Sequence, residues 1–223
     1  MGRVLRIGHR GAAGRAPENT LVSVEKAISL GADLVEVDVQ RTSDGHLVII
    51  HDKRVDRTTN GAGLVSGLSL RALRELDAGA GERIPTVEEL LQAAEGRAGL
   101  ILELKGKGLA AEVSKSVRLS GFTGQVIYAS FLHHEVRSVR EGDPRAMTLA
   151  LFGRLPHDPV MAAQEARATH IGFNYITLTK PLVETCHQRG LVVFAYTVND
   201  PQDIMNMVSL GVDGIVSDFP DRL

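Results

Sequence analysis

The sequence predicts an α/β protein, a single (β/α)₈ TIM-type barrel with a small insertion after its second strand. Short β-branched runs alternate with amphipathic helical stretches, and this rhythm indicates parallel strands joined by helical crossovers. The length of 223 residues is typical of one such barrel. The number of expected strands and helices fits a closed barrel better than an open doubly wound sheet, which remains the alternative fold.

The expected elements follow the chain in order. Apolar, mostly β-branched runs bounded by turn residues predict the strands. Strands are expected at residues 5–8, 34–40, 100–103, 126–128, 147–151, 171–174, 192–197 and 214–217. Helices are expected at residues 20–30, 86–94, 110–120, 133–140, 160–168, 181–189 and 202–210. Glycines such as Gly121 and Gly211 follow several of the helices, where they serve as C-terminal caps.

One segment interrupts the alternation. After the second strand come an apolar run (47–50), a polar, turn-rich stretch (54–63) and a short helix (69–76). This segment is too long for a simple connection within a barrel. We therefore expect a small insertion at about residues 53–84, carried by a single catalytic domain that spans residues 1–223.

Composition and charge restrict the partners. The net charge is −2, no basic block is present and aromatic residues make up 4% of the chain, so no nucleic-acid partner is expected. No apolar run reaches membrane-spanning length, and the N-terminus from Met1 onward lacks the apolar core of a signal peptide. Cys186 is the single cysteine, which fits a reducing compartment. These features predict a cytoplasmic protein without stable membrane insertion, and they leave its oligomeric state open.

Two acidic residues stand on the second expected strand. Side chains two apart on a strand point the same way, so Glu36 and Asp38 present both carboxylates to one face. Each uncompensated buried ion costs on the order of several kcal/mol, so a bound cation would explain the pair. Salt bridges to Arg10, Arg41 or Lys105 explain it equally well on spacing alone.

Further chemically active side chains stand at neighbouring strand ends. In a barrel, active residues occupy the C-terminal ends of the strands and the loops that follow. The residues expected there are His9, Arg10, Glu36, Asp38, His51, Asp52, Glu103 and Lys105. The other histidines fall in expected turns or helices, and we interpret them as surface or structural residues.

Together these side chains match one chemistry. The three acids Glu36, Asp38 and Glu103 offer only hard oxygen ligands, which suit Mg²⁺, Ca²⁺ or Mn²⁺ rather than a structural zinc. Arg10 and Lys105 would neutralise a phosphate, and two histidines, His9 and His51, titrate near neutrality and could exchange protons with it. Because no Gly-rich P-loop is present, nucleoside triphosphate chemistry is not expected. The set is suited to cleaving a phosphodiester.

The same residues lie in longer motifs that resemble the glycerophosphodiester phosphodiesterase family. The matching segments are HRGAAGRAPENT (9–20), EVDVQRTSDGHLVIIHD (36–52), DRTTNGAGLVSGLSLRALRELDAG (56–79), ERIPTVEELL (82–91), ELK (103–105), AYTVND (195–200) and DGIVSDFP (213–220). The resemblance implies a barrel that hydrolyses glycerophosphodiesters, such as deacylated phospholipids, to sn-glycerol 3-phosphate and an alcohol. It also implies a part in lipid and glycerol metabolism.

The resemblance further implies a role for each site residue. His9 and His51 become the acid–base pair, Glu36, Asp38 and Glu103 the ligands of Mg²⁺ or Ca²⁺, and Arg10 and Lys105 the phosphate contacts. Asn19 or Thr20 is expected to cap the first helix. The family often has a tryptophan where this chain has Tyr196, which puts the breadth of accepted substrates in question rather than the activity.

Other interpretations remain at this stage. A related barrel phosphodiesterase could act on lysophospholipids or phosphoinositides, and a non-catalytic glycerophosphate-binding protein could keep the pocket. A metal-independent amidohydrolase-like barrel is more distant, because it would need a histidine cluster on the first strand. The sequence does not separate attack by the glycerol 2-hydroxyl, through a cyclic phosphate, from direct attack by water. Nor does it fix the preferred head group or the metal.

Overall fold

A closed barrel of parallel strands forms the centre of the computed structural model, which describes residues 3–223. Within this range, eight parallel strands close the barrel and a ninth, β3, pairs antiparallel with β2 at its rim. The strands are β1 (Leu5–Gly8), β2 (Leu34–Arg41), β3 (Leu47–Ile49), β4 (Gly99–Leu104), β5 (Val126–Ser130), β6 (Met147–Phe152), β7 (His170–Asn174), β8 (Val192–Tyr196) and β9 (Gly214–Ser217). Because β1 pairs with both β2 and β9, the sheet has no open end, and the open doubly wound alternative is wrong. The predicted fold class is confirmed.

Helices cover the outside of the barrel and connect its strands. Within residues 3–223 they are α1 (Leu21–Ser29), α2 (Leu70–Arg74), α3 (Val87–Ala94), α4 (Leu109–Ser120), α5 (His133–Gly142), α6 (Pro159–Glu165), α7 (Lys180–Gln188) and α8 (Pro201–Leu210). Side-chain caps explain several starts: Thr86 and Glu89 form a reciprocal capping box on α3. Gly121 and Gly211 end α4 and α8 in the left-handed conformation, as expected.

One local expectation needs correction, and one choice between two residues is decided. His170, expected in a turn or helix, is buried and is the first residue of strand β7. Burial lowers the pKa of His170 to about 4, so it is a neutral structural residue of the barrel wall. Thr20, not Asn19, caps α1, because its hydroxyl accepts the backbone N–H of Ser23. The expectation of a missing signal peptide depends in part on Met1 and Gly2, which lie outside the described residues.

The barrel interior is filled by alternating apolar side chains. Ile7, Leu34, Ile101, Phe194 and Val216 come from different strands and meet in one buried cluster. On β2 and β4 the same inward face continues toward the C-terminal end as acids instead of apolar residues. The fold therefore places the acids at the C-terminal mouth of the barrel, directly above an apolar core.

The segment between β3 and α3 packs as a small unit against the barrel rim. It holds a 3₁₀ turn (Val65–Gly67) and the short helix α2. Its own buried cluster includes Val55, Leu73 and Ile84. This packing holds the chain after His51 against the mouth of the barrel.

Candidate active site

Three carboxylates converge at the mouth of the barrel. Glu36 and Asp38 alternate along β2, and the register of β2 on β4 sets Asp38 directly beside Glu103. One oxygen from each residue lies within 4.8 Å of the others, close enough for a common ion. The residues are 7%, 1% and 9% exposed, respectively. The strand pairing thus brings together the three predicted metal ligands.

The cations that could neutralise this cluster are unevenly distributed. Lys105 Nζ lies 2.7 Å from Glu103 Oε1 and 3.3 Å from Asp38 Oδ1, and Arg10 Nε lies 3.5 Å from Asp38 Oδ2. Arg41 pairs with Glu112 on the outside of the barrel instead. The salt-bridge interpretation therefore accounts for Asp38 and Glu103, but it leaves Glu36 without a lysine or arginine partner among residues 3–223.

Glu36 is the acid whose surroundings most need a cation. The backbone N–H of Arg10 donates to Glu36 Oε2 at 2.9 Å, whereas Oε1 is buried and has no hydrogen-bond partner among the described residues. Burial and then repulsion from Asp38 raise the pKa of Glu36 to about 8, and the same two causes raise the pKa of Glu103. An orphaned carboxylate oxygen within an all-oxygen donor set fits a hard divalent cation such as Mg²⁺ or Ca²⁺.

His9 lies on one side of the carboxylate cluster. Its Nε2 is 4.0 Å from Glu36 Oε2, and its Nδ1 is 2.6 Å from Asp218 Oδ1. Asn199 Nδ2 donates to the other oxygen of Asp218 at 2.6 Å, which fixes the carboxylate in place. Burial is the largest single influence and lowers the pKa of His9. The hydrogen bond to Asp218 and the negative charges of Glu36 and Asp218 together outweigh burial, so the pKa lies above its ordinary value. This arrangement directs Nε2 toward the cluster.

The turn that carries His9 is packed closely on helix α1. Gly11 has a φ of +87°, and an added Cβ there would collide with Ser23. Ser23 Oγ also accepts the backbone N–H of Ala12 at 2.8 Å. The glycine in the HRG motif is therefore required by the close approach of the turn to α1.

His51 also has an aspartate on its Nδ1. Asp52 Oδ1 lies 2.6 Å from His51 Nδ1, and Arg57, from the inserted segment, donates to both oxygens of Asp52. The hydrogen bonds from Arg57 and then from His51 hold the pKa of Asp52 well below its usual range. Each of the two predicted catalytic histidines thus has an ionised carboxylate behind it and Nε2 remaining for other contacts.

Arg57 also joins the two halves of the site. Its guanidinium donates to both oxygens of Glu18, at 2.7 and 2.8 Å, and Glu18 in turn accepts from Arg10 Nη1 at 2.8 Å. A continuous chain of ion pairs therefore runs from Arg10 through Glu18, Arg57 and Asp52 to His51. Asn19 links the same loop to β2, because its Nδ2 donates to Asp38 Oδ2 at 2.8 Å.

A small cleft, open to solvent, lies beside His9, Glu36 and Glu103. Its floor is apolar, and Phe131 and Tyr196 form its aromatic wall. The hydroxyl of Tyr196 donates to the backbone carbonyl of Phe152 at 2.8 Å, which fixes the ring. The position that often holds tryptophan in the family is thus part of the wall of this cleft.

A family model described as the glycerophosphoryl diester phosphodiesterase family matches residues 9–222. The chain belongs to this family. The matched range includes every predicted site residue and every barrel strand after β1. The predicted family and the predicted enzyme class, a glycerophosphodiester phosphodiesterase, are confirmed at this level.

Relatives and solved structures agree with the family. A glycerophosphodiester phosphodiesterase of Caldanaerobacter subterraneus is 37% identical over 99% of this chain and 96% of its own length. A phosphodiesterase of Oleispira antarctica, solved with the product sn-glycerol-3-phosphate, is 30% identical with a TM-score of 0.90, over 97% of this chain and 93% of that one. A glycerophosphodiester phosphodiesterase of Agrobacterium tumefaciens has a TM-score of 0.88 at 30% identity, over 99% of this chain and 98% of that one.

The lengths and polarity of the helices bear on membrane association. Within residues 3–223, no helix has the length and apolar character needed to cross a bilayer. The cytoplasmic location and the absence of a nucleic-acid partner stay predictions.

Sequence reasoning missed two residues of this glycerophosphodiester phosphodiesterase site. Asp218 directly follows β9, so the rule that active residues follow barrel strands could have found it. Arg57 lies inside the inserted segment, and no periodicity or spacing links it to Glu18. The structure alone reveals its bridging position.

Proposed function

We propose that this family member hydrolyses small glycerophosphodiesters to sn-glycerol 3-phosphate and an alcohol, with a divalent cation held by Glu36, Asp38 and Glu103 and with His9 and His51 as the acid–base pair. Mg²⁺ and Ca²⁺ are the favoured ions, and Mn²⁺ would fit the same donors. The product is proposed by analogy with the sn-glycerol-3-phosphate complex of the Oleispira antarctica relative.

The single observation that carries the proposal is the buried, unpartnered oxygen of Glu36. An acid cluster that served only to form salt bridges would satisfy its most buried oxygens, because an unpaired buried charge is strongly unfavourable. Glu36 Oε1 has no hydrogen-bond donor among residues 3–223. One carboxylate oxygen of Glu36 lies within 4.8 Å of an oxygen of Asp38 and an oxygen of Glu103. A divalent cation bound there would neutralise the phosphate and make the phosphorus more susceptible to attack.

The two histidines would divide the proton transfers between them. Each has Nδ1 on an aspartate, so the Nε2 of each is the nitrogen available to the substrate. One histidine removes the proton of the attacking hydroxyl or water, and the other gives a proton to the departing alkoxide. Arg10 and Lys105 would hold the phosphate oxygens, since both guanidinium and ammonium groups lie at the edge of the cluster.

Metal removal tests the proposal most simply. Glycerophosphocholine and glycerophosphoethanolamine are offered to the enzyme before and after EDTA treatment, and sn-glycerol 3-phosphate is measured. We expect the product to disappear with EDTA and to return with Mg²⁺ or Ca²⁺. Full turnover in EDTA would contradict metal dependence. Binding of glycerol phosphates without any turnover would favour the non-catalytic alternative instead.

The histidines are tested separately. His9→Ala and His51→Ala should each lower kcat by about 10²–10⁴-fold, the usual reach of general acid–base catalysis. Replacement of His157, an exposed histidine far along the chain, serves as the control and should leave kcat unchanged. Full activity in both site variants would rule out the assigned roles.

The group that attacks the phosphorus is either the glycerol 2-hydroxyl or water. If the glycerol 2-hydroxyl attacks its own phosphorus, a cyclic glycerol phosphate forms and water then opens it, with the histidines exchanging roles. Phosphorus NMR during turnover should detect this species. Its absence under single-turnover conditions would favour direct attack by water.

A further inference from the structure

A second cleft adjoins the carboxylate cluster on the side away from His9. It is open to solvent and shares Glu103 and Phe131 with the first cleft. Three lysines, Lys53, Lys105 and Lys107, line it. We call it the lysine cleft. Because Glu103 belongs to both clefts, a diester with its phosphate at the acids could place one alcohol group in each.

The lysine cleft carries uncompensated positive charge. Lys105 is paired with Glu103 and Asp38, but the ion pairs found among residues 3–223 include neither Lys53 nor Lys107. Asp52, which adjoins Lys53 in the chain, is paired with Arg57 and not with a lysine. Lys53 and Lys107 are both exposed, so their ammonium groups are available to a ligand.

Both lysines stand on backbone that is held in place. The loop that carries Lys107 is anchored by the buried Glu135, whose carboxylate accepts the N–H groups of Gly108 at 2.7 Å and Ala110 at 2.9 Å. The carbonyl of Lys53 accepts the N–H of Val65 at 3.0 Å. The two lysines therefore project from anchored backbone, so a ligand would have to order only their side chains and not the loops that carry them.

The lining is poorly suited to a quaternary ammonium group. Recognition of such cations uses several aromatic faces arranged as a cage. Among the described residues that line the lysine cleft, Phe131 is the one aromatic residue, and Lys105 Nζ already lies 6.0 Å from its ring centroid. A choline group would meet like charge there.

We propose that the lysine cleft binds the leaving alcohol of the substrate and selects alcohols that carry a negative charge, with Lys53 and Lys107 as the residues that determine this specificity. The inference rests on the proposed glycerophosphodiesterase function. It names the substrate class as glycerophosphodiesters whose second alcohol bears a further phosphate or carboxylate, in preference to those that bear only an ammonium group.

Three substrates of different head-group charge test this proposal. They are bis(glycerophospho)glycerol, whose second phosphodiester is anionic, glycerophosphoglycerol, whose alcohol is neutral, and glycerophosphocholine, whose alcohol is cationic. We expect kcat/KM to fall in that order at low ionic strength. The differences should shrink as salt is added, because salt screens exposed charges.

Variants assign the preference to the two lysines. Lys53→Gln and Lys107→Gln should each lower kcat/KM for bis(glycerophospho)glycerol by about two- to fivefold, the range expected for one exposed ion pair. Neither change should lower kcat/KM for glycerophosphocholine. Lys115→Gln, an exposed lysine on the outer helix α4, is the matched control and should leave all three rates unchanged.

The outcomes separate the two proposals. Hydrolysis of all three substrates with equal kcat/KM, or a preference that both lysine variants retain, would overturn the charge selection while leaving the proposed function intact. A wild-type preference for glycerophosphocholine would also overturn it. Absence of hydrolysis of every substrate in the presence of Mg²⁺ and Ca²⁺ would contradict the proposed function and the charge selection together.

Discussion

Asp218→Asn is the substitution whose effect follows most directly from the geometry. Asn199 Nδ2 donates to one oxygen of Asp218, and the other oxygen faces His9 Nδ1 at 2.6 Å. In the variant, the amide oxygen must still accept from Asn199, so its NH₂ group turns toward His9. Nδ1 of His9 then has to accept a hydrogen bond, and the neutral imidazole carries its proton on Nε2 instead.

The wrong tautomer removes the lone pair that a base at Nε2 would need. We expect kcat to fall by about 10²–10⁴-fold, the scale of general acid–base catalysis and of tautomer errors in comparable histidine–aspartate pairs. Loss of the carboxylate also removes the hydrogen bond that raises the pKa of His9. The limb of the pH–rate profile that reports His9 should therefore move to lower pH, whichever of the two proton transfers His9 performs.

The assay follows sn-glycerol 3-phosphate release at saturating metal across the neutral pH range. Asp221→Asn is the matched control, because Asp221 lies on the same C-terminal segment but pairs with Arg15 at the surface. The control should retain the wild-type kcat and pH profile. Wild-type kcat and an unmoved profile in Asp218→Asn would refute the reasoning that Asp218 orients His9.

Two further predictions concern the ion-pair chain and the acid cluster. Arg57→Ala should lower kcat by about 10- to 100-fold because His51 would lose its position, and millimolar guanidinium should restore part of the activity. Arg54→Ala is the control and should match the wild type. An unchanged kcat for Arg57→Ala would show that the bridge from Glu18 to Asp52 is dispensable. The second prediction compares the free energy of unfolding of the wild type with that of Glu36→Gln, both in EDTA. As pH rises from about 5 to about 8, the wild type should become less stable relative to the variant by on the order of several kcal/mol. The sign follows because the pKa of Glu36 in the folded state, about 8, lies above its ordinary value of 4.5, so the folded state binds more protons in this pH window. Urea titrations that gave parallel pH profiles for the two proteins would contradict this prediction.

Most of the barrel could be predicted because its determinants are local in sequence. The β-branched runs and the amphipathic stretches each have their own period, and the strands at Leu5–Gly8 and Gly214–Ser217 begin and end where those runs do. Strand ends then follow from the strands, so Glu36, Asp38 and Glu103 could be grouped before any coordinates were known. Their separation within 4.8 Å depends on the β2–β4 register, which the alternation of inward-facing residues sets.

The missing part of the site consists of contacts between distant segments. Asp218 is 209 positions from His9, and their hydrogen bond exists only because closure of the barrel places β9 beside β1. Arg57 reaches Glu18 from the inserted segment, whose path is set by its own small core rather than by a repeating pattern. The burial of His170 could not be predicted either. A single histidine at the start of a strand does not belong to an alternating apolar pattern, so the sequence does not show that its side chain is buried.

The central claim is that one divalent cation is shared by three carboxylates and holds the phosphate between two histidines. A crystal structure with Mn²⁺ and sn-glycerol 3-phosphate tests it most directly, because anomalous scattering locates the ion independently of the protein. We predict one strong peak about 2.1–2.3 Å from an oxygen of each of Glu36, Asp38 and Glu103, with a phosphate oxygen on the same ion. Density for the phosphate among Arg10, Lys105 and the histidines with no ion on Glu36, in crystals of active enzyme, would contradict the account.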